Sequence, residues 1–222
     1  MFWQENINEE HFTVPDTVQD VLFQIECPKI NINYQSALTN ELMQHFPFLK
    51  EDAIHHIYLP KSGNGWMADT QAEFLYLSKR SKLILRVKKE HINPLKKIKN
   101  LTLNIDGTNF TIIKFIKQKK MSDSSILFSH SIIKNNNLNE DDFLEQCFYD
   151  LQKLNIKPKK MLAGLSGSII INDKKLTTQS LMVADLSKQE SVLLQEQGIG
   201  NYKTYGCGIF NPQKGINEVS AV

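Results

Sequence analysis

Near its C-terminus the chain reads Gly198-Ile199-Gly200-Asn201-Tyr202-Lys203-Thr204-Tyr205-Gly206-Cys207-Gly208-Ile209-Phe210. Two G-x-G pairs flank a lysine and two tyrosines. Glycine lets backbone N–H groups approach phosphate oxygens where a Cβ would obstruct them. Lys203 adds positive charge, and the rings of Tyr202 and Tyr205 can stack on bases. Residues 198–210 are therefore a candidate RNA-binding loop, with Gly198, Gly200, Tyr202, Lys203, Gly206 and Gly208 as contacts. The alternative is a glycine-rich turn into the last strand. The segment is no dinucleotide fingerprint, which needs G-x-G-x-x-G opening a helix, because position 203 is lysine. No G-K-[ST] of a Walker loop occurs.

A second candidate is the stretch Leu77 to Val87. Period-two alternation places Arg80, Lys82 and Arg86 on one face and Leu83, Leu85 and Val87 on the other. Arg80 and Arg86 are the chain's only two arginines. Their forked guanidiniums suit phosphates or guanine edges, and the competing reading is a solvated sheet face. Lys157, Lys159 and Lys160, around Pro158, form a third basic cluster, either a phosphate contact or a charged turn. Of six histidines, His45 falls at the end of an expected helix and His55-His56 at the start of the next strand. Each can serve as acid or base near neutral pH, although a single histidine is more often structural. Gly164-Leu165-Ser166-Gly167-Ser168 imitates a nucleophile elbow, but Ser168 stands where glycine is required. We find no carboxylate cluster of the two-metal kind, and the sequence leads us to expect neither metal nor cofactor.

These residues need elements to position them. Val18 to Cys27 alternates as a strand that Pro28 ends; Tyr34 to Phe46 has helical spacing, with Pro47 as stop. Strands are expected at Ile54 to Leu59 and Phe74 to Val87, a short basic helix at Glu90 to Lys99, and a hairpin around Asp106-Gly107. The order then recurs. A strand at Ile126 to Ile133 precedes a helix capped by Asn139. Short strands follow at Met161 to Leu165, Ser168 to Ile171 and Leu181 to Asp185. A helix with a Ser187/Glu190 capping box closes at Gly198, and a strand holds Phe210. Two βαββαβ units predict an α+β protein of two tandem ferredoxin-like domains, 1–118 and 119–222.

Composition agrees with a globular protein: 222 residues, 41% hydrophobic and 23% charged. Cys27, Cys147 and Cys207 form no CxxC pair and read as reduced, buried thiols. The acidic, polar start MFWQENINEE is unlike a signal peptide, and no apolar run approaches the ~20 residues of a membrane span; a cytoplasmic protein without membrane partners is expected. Net charge is only +2, but it is unevenly spread. Residues 79–120 hold thirteen Lys or Arg against Glu90 and Asp106, which is 13 − 2 = +11 and leaves −9 elsewhere. Such segregation marks a polyanion binder or a lysine-rich solvated surface.

Several blocks resemble the CRISPR repeat-RNA endoribonucleases of the RAMP superfamily, the sixth Cas protein, in its MYXAN-type branch. They are Ser62-Gly63-Asn64-Gly65-Trp66, Leu77-Ser78-Lys79-Arg80-Ser81-Lys82-Leu83, Ile156-Lys157-Pro158-Lys159-Lys160-Met161-Leu162, Ser180 to Ser187, the glycine-rich loop and Asn211-Pro212-Gln213-Lys214-Gly215-Ile216. The resemblance implies two ferredoxin-like domains and a repeat-RNA hairpin cut once at its 3′ base without metal. It also implies retention of the guide RNA beside other Cas subunits of a type I effector complex, or alternatively a hairpin-capping subunit that does not cut. The catalytic residue moves among such proteins. The candidates implied here are His45, Tyr34 and His55.

Overall fold

The computed structural model describes residues 12–51, 56–58, 73–135 and 138–213. The first half is built on a five-stranded antiparallel sheet of order β3-β5-β1-β7-β6. Its elements are β1 (Val18–Glu26), β2 (Lys29–Asn31), α1 (Gln35–His45), α2 (Phe48–Glu51), β3 (His56–Tyr58), β4 (Phe74–Tyr76), β5 (Lys82–Lys88), α3 (Ile92–Lys96), β6 (Lys99–Ile105) and β7 (Thr108–Lys120). β1 is central and buried along most of its length. Its Val21, Phe23 and Ile25 join Leu83, Leu85 and Val87 of β5 and Leu38 and Leu42 of α1 in one core.

The second half has β8 (Leu127–Ile133), α4 (Glu140–Lys153), β9 (Lys160–Ile171), β10 (Lys174–Ala184), α5 (Lys188–Gln197) and β11 (Asn211–Pro212). Its sheet order, β11-β8-β10-β9, is the 4-1-3-2 order of a βαββαβ unit. Phe143, Cys147 and Leu151 of α4, Leu194 of α5, and Leu181 and Val183 of β10 fill a separate core. Both helices carry complete capping boxes, Asn139 with Asp142 and Ser187 with Glu190. The architecture is thus α+β with two ferredoxin-like sheets. No described helix is long and apolar enough to cross a membrane.

Three expectations are corrected. Phe74 to Val87 is not one strand. β4 pairs with β2, β5 pairs with β1 and β3, and between them Ser81 N–H bonds to Ser78 C=O while Arg80 N–H bonds to Ser78 Oγ at 3.2 Å. A serine bonding its own neighbourhood favours a turn over strand continuation. Conversely, Met161 to Leu165 and Ser168 to Ile171 belong to one strand, β9. Gly164 and Gly167 lie within this strand, which is paired to β10, and hydroxyls from β10 take the space a side chain at either would need. A Cβ on Gly164 would meet Ser180 Oγ at 2.5 Å, and one on Gly167 would meet Thr178 Oγ1 at 3.3 Å. The final strand covers only Asn211–Pro212 and begins just after Phe210.

Candidate nucleic-acid interface at the junction of the two sheets

The glycine-rich loop begins where α5 stops. Gly198 adopts φ +60° and donates its N–H to Leu194 C=O. The loop then closes on itself: Ile199 N–H bonds to Gly208 C=O at 3.2 Å and Gly208 N–H bonds to Ser131 C=O of β8 at 2.7 Å. Cys207 N–H and Tyr205 N–H both reach Tyr202 C=O, and Gly206 N–H reaches Lys203 C=O. This corrects the expectation for Gly198, Gly206 and Gly208 as phosphate cradles, since their N–H groups are satisfied inside the protein. Gly198 and Gly208 are glycine because a Cβ on either would overlap backbone oxygen of the opposite stem. The apex differs. Among the described residues, the N–H groups of Gly200, Asn201 and Tyr202 donate to no protein acceptor. Tyr202 is 39% exposed and is held at φ +61°. Its ring stands edge-on to Tyr205, centroids 6.2 Å apart. A left-handed non-glycine residue costs about 1–2 kcal/mol, and here it turns an aromatic ring outward.

Lys203 folds back rather than out. Its Nζ donates to Gln197 C=O at 2.8 Å, at the C-terminus of α5. The positive charge there complements the negative end of the helix dipole.

The loop sits against the first half. Thr39 Oγ1 on α1 donates to Thr204 C=O at 3.3 Å, and Ser36 Oγ accepts from Asn172 N–H at 3.0 Å in the β9–β10 turn. β3 runs beside Lys203–Tyr205. His45 is exposed at the end of α1, about 9 Å along the helix axis from Thr39 at 1.5 Å per residue. Tyr34 is corrected as an acid–base candidate, because it is only 8% exposed and packs in the first core. His55 and the Ser62-to-Trp66 block lie outside the described residues. A contact the sequence did not suggest joins His91, before α3, to Phe48 of α2, with rings stacked at 4.4 Å. Aromatic alternation across a helix break carries no periodic signal by which to find it.

Arg86 is the largest correction. It is 1% exposed, so it does not grip RNA. β1 and β5 place Asp20 directly opposite it, and the two form a forked pair at 2.7 and 3.1 Å. The alternation holds within β5, where Leu83, Leu85 and Val87 face the core, and does not extend to Arg80 in the turn before it. The opposite face is covered at Arg86 by the second half. Asp20, set inside the apolar strand VQDVLFQIE whose other acid, Glu26, stands exposed at its end, is the available signal, since a buried carboxylate demands a cation. Arg80, in the turn before β5, and Lys82, at its start, remain at least partly exposed. Lys157, Lys159 and Lys160 are exposed at the other end of α5, about 15 Å from the loop by helix length. There Lys160 pairs with Asp185 and Lys157 N–H bonds to Glu190.

A family model described as Cas6 Crispr matches residues 19–215. The chain belongs to the Cas6 family. It is 24% identical over 193 residues to a protein of Myxococcus xanthus (strain DK1622) called CRISPR-associated endonuclease Cas6, covering 87% of this chain and 80% of that one. Among solved structures, one described as a Cas6-related gene product from Pyrococcus furiosus superposes with a TM-score of 0.57 at 16% identity, covering 89% and 98% of the two chains. Another, described as a RAMP protein binding different RNA substrates, gives 0.56 at 11% identity and covers 89% and 100%. At these identities the structural likeness establishes the fold that this Cas6 member shares with them.

Proposed function

We propose that this Cas6 protein binds the hairpin of CRISPR repeat RNA and cleaves the precursor at the 3′ base of the hairpin, without a metal ion. It then stays on the mature guide RNA beside other Cas subunits of a type I effector complex. The observation that carries the reading is the loop: the N–H donors of 200–202 meet no acceptor among the described residues and Tyr202 is exposed, while the carbonyl of Thr204 is bonded to Thr39 on the helix that ends in His45. Membership of a family with a named endonuclease relative supports the substrate class. Chemically, a base takes the proton of an RNA 2′-hydroxyl, the oxygen attacks the adjacent phosphorus, and an acid protonates the departing 5′-oxygen. The products are a 2′,3′-cyclic phosphate and a 5′-hydroxyl. His45 is the acid–base group of choice among the described candidates, because it is exposed where Tyr34 is not. Arg80, Lys82, Lys157, Lys159 and Lys160 supply outlying cationic contacts to the RNA. Purified protein incubated with repeat RNA in EDTA is expected to cleave it. His45→Ala is expected to slow cleavage by roughly 10²–10⁴-fold with binding nearly unchanged. Cleavage that requires added magnesium refutes the metal-free mechanism, and a normal rate in His45→Ala moves the role to His55. Burial of Tyr34 favours a second reading, a hairpin-capping subunit without cleavage. A bound RNA that is never cut selects it.

A further inference from the structure

We propose that Arg86 is a positioning residue for the cleavage assigned above: from the first sheet it holds both stems of the glycine-rich loop and so sets where bound RNA lies against α1. The inference rests on the endoribonuclease reading for its function and on geometry alone for the tether.

The guanidinium has five N–H donors in a rigid fork, and the structure provides five acceptors. Nε and one N–H of Nη2 bond to the two oxygens of Asp20, at 2.7 and 3.1 Å, within the first sheet. The remaining donors cross to the second half. Nη1 donates to Gln195 C=O at 2.8 Å and to Phe210 C=O at 2.9 Å, and Nη2 donates to Asn211 Oδ1 at 3.0 Å. Gln195 lies in the last turn of α5, just before Gly198, and Phe210 lies just after Gly208 and Ile209. One nitrogen therefore ties together the two strands of backbone that enter and leave the loop. The helix end it meets is the negative pole of α5, which favours a cation there.

The loop has no comparable anchor of its own kind elsewhere among the described residues. Its links to the first half among the described residues include the Thr39–Thr204 bond at 3.3 Å and passage beside β3. Rotation of the loop stems by a small angle would move the apex relative to His45, and displacement of reacting groups by about 1 Å can cost on the order of 100-fold in rate. Asp20 fixes the guanidinium plane, so the orientation originates in the β1–β5 register pair Asp20↔Arg86. Lysine cannot replace it, because a single ammonium offers three donors from one point and no fork.

Arg86→Lys is the test, measured at a temperature where circular dichroism shows it folded. A positioning role predicts that the single-turnover rate at saturating repeat RNA falls about 10- to 100-fold while Kd stays within about threefold. A merely structural pair predicts a lower melting temperature with the saturated rate unchanged, and that result overturns the proposal. If Arg86→Lys does not fold, Asp20→Leu combined with Arg86→Met removes the buried pair together, leaves no orphan charge, and is read in the same way. If the wild-type protein binds but does not cut, the nuclease reading fails separately. The tether is then judged by amide hydrogen exchange. Faster exchange at Ile199 and Gly208, with β1 amides unchanged, upholds it, and unchanged protection at Ile199 and Gly208 overturns it.

Discussion

The loop glycines should separate into two classes by stability. Gly208 sits at φ +64°, and a Cβ there would overlap the carbonyl of Ile199. Gly208→Ala must therefore open the stem and release two hydrogen bonds, Ile199 N–H to Gly208 C=O and Gly208 N–H to Ser131 C=O. At about 1 kcal/mol per bond and about 1–2 kcal/mol for the left-handed backbone, the cost is roughly 3–4 kcal/mol. In a chain of this length about 1 kcal/mol shifts Tm by about 2–4 °C, so the melt should fall by roughly 6–16 °C. Gly200 is also left-handed, at φ +72°, but the nearest atom to its would-be Cβ is Ile132 Cγ2 at 3.7 Å. Gly200→Ala meets no clash and loses no bond within the protein, so only the backbone term remains, about 1–2 kcal/mol or roughly 2–8 °C. Thermal melts of the two variants beside wild type measure the difference, and hairpin affinity on the same folded samples tests the apex. Gly208→Ala melting no lower than Gly200→Ala refutes the account of the loop as a backbone-closed hairpin whose apex alone is free.

Two further outcomes follow from titratable groups. Burial works to raise the Glu190 carboxyl, but N–H groups of Ser187 and Lys157, the Ser187 hydroxyl and nearby Lys159 together hold it below its ordinary value. A folded-state pKa below the unfolded one, about 4.3, contributes stability above that value and loses it as pH falls through the folded pKa. Glu190→Gln should therefore lower Tm by about 1–3 °C near pH 7, with the gap to wild type closing below about pH 4; a gap undiminished in acid refutes the assignment. Burial pushes the thiols of Cys147 and Cys207 up to about 12, and Cys27 is buried and raised as well. A thiol-specific reagent at about pH 8 should label none of the three until the protein is denatured, and rapid labelling of native protein contradicts this packing.

What could be read from the sequence is what local chemistry decides. α4 and α5 start where Asn139 and Ser187 stand because each cap works within four residues. The 4-1-3-2 sheet of the second half follows from the order of its elements. Position 198–210 is recognisable as a loop from its glycines alone. What could not be read is which side of a strand another domain covers. Arg86 and Lys82 share a face by period two, yet Arg86 is enclosed and Lys82 is partly open. The difference is made by Gln195, Phe210 and Asn211, more than a hundred residues away in the chain. The burial of Tyr34 is hidden from the sequence for a similar reason: its place before α1 is local, but its burial depends on strands that arrive later.

Arg86 and Lys203 carry the charge that a polyanion binder needs, and in the structure both donate to the end of α5. The last four carbonyls of a helix have no partner within it and must find one. Here Leu194 C=O takes Gly198 N–H, Gln195 C=O takes Arg86, and Gln197 C=O takes Lys203. A helix C-terminus and a phosphate ask for the same donors, so residue type alone cannot choose between them. Once α5 is satisfied, what the loop turns outward is neutral: the N–H groups of 200–202 and the ring of Tyr202. In the proposed function such groups would meet RNA by hydrogen bonding and stacking, and the charge that draws RNA in would come from the outlying lysines and Arg80. The common fixed point of the two halves of the fold is the Asp20–Arg86 pair, the buried link through which the first sheet holds the stems of the loop.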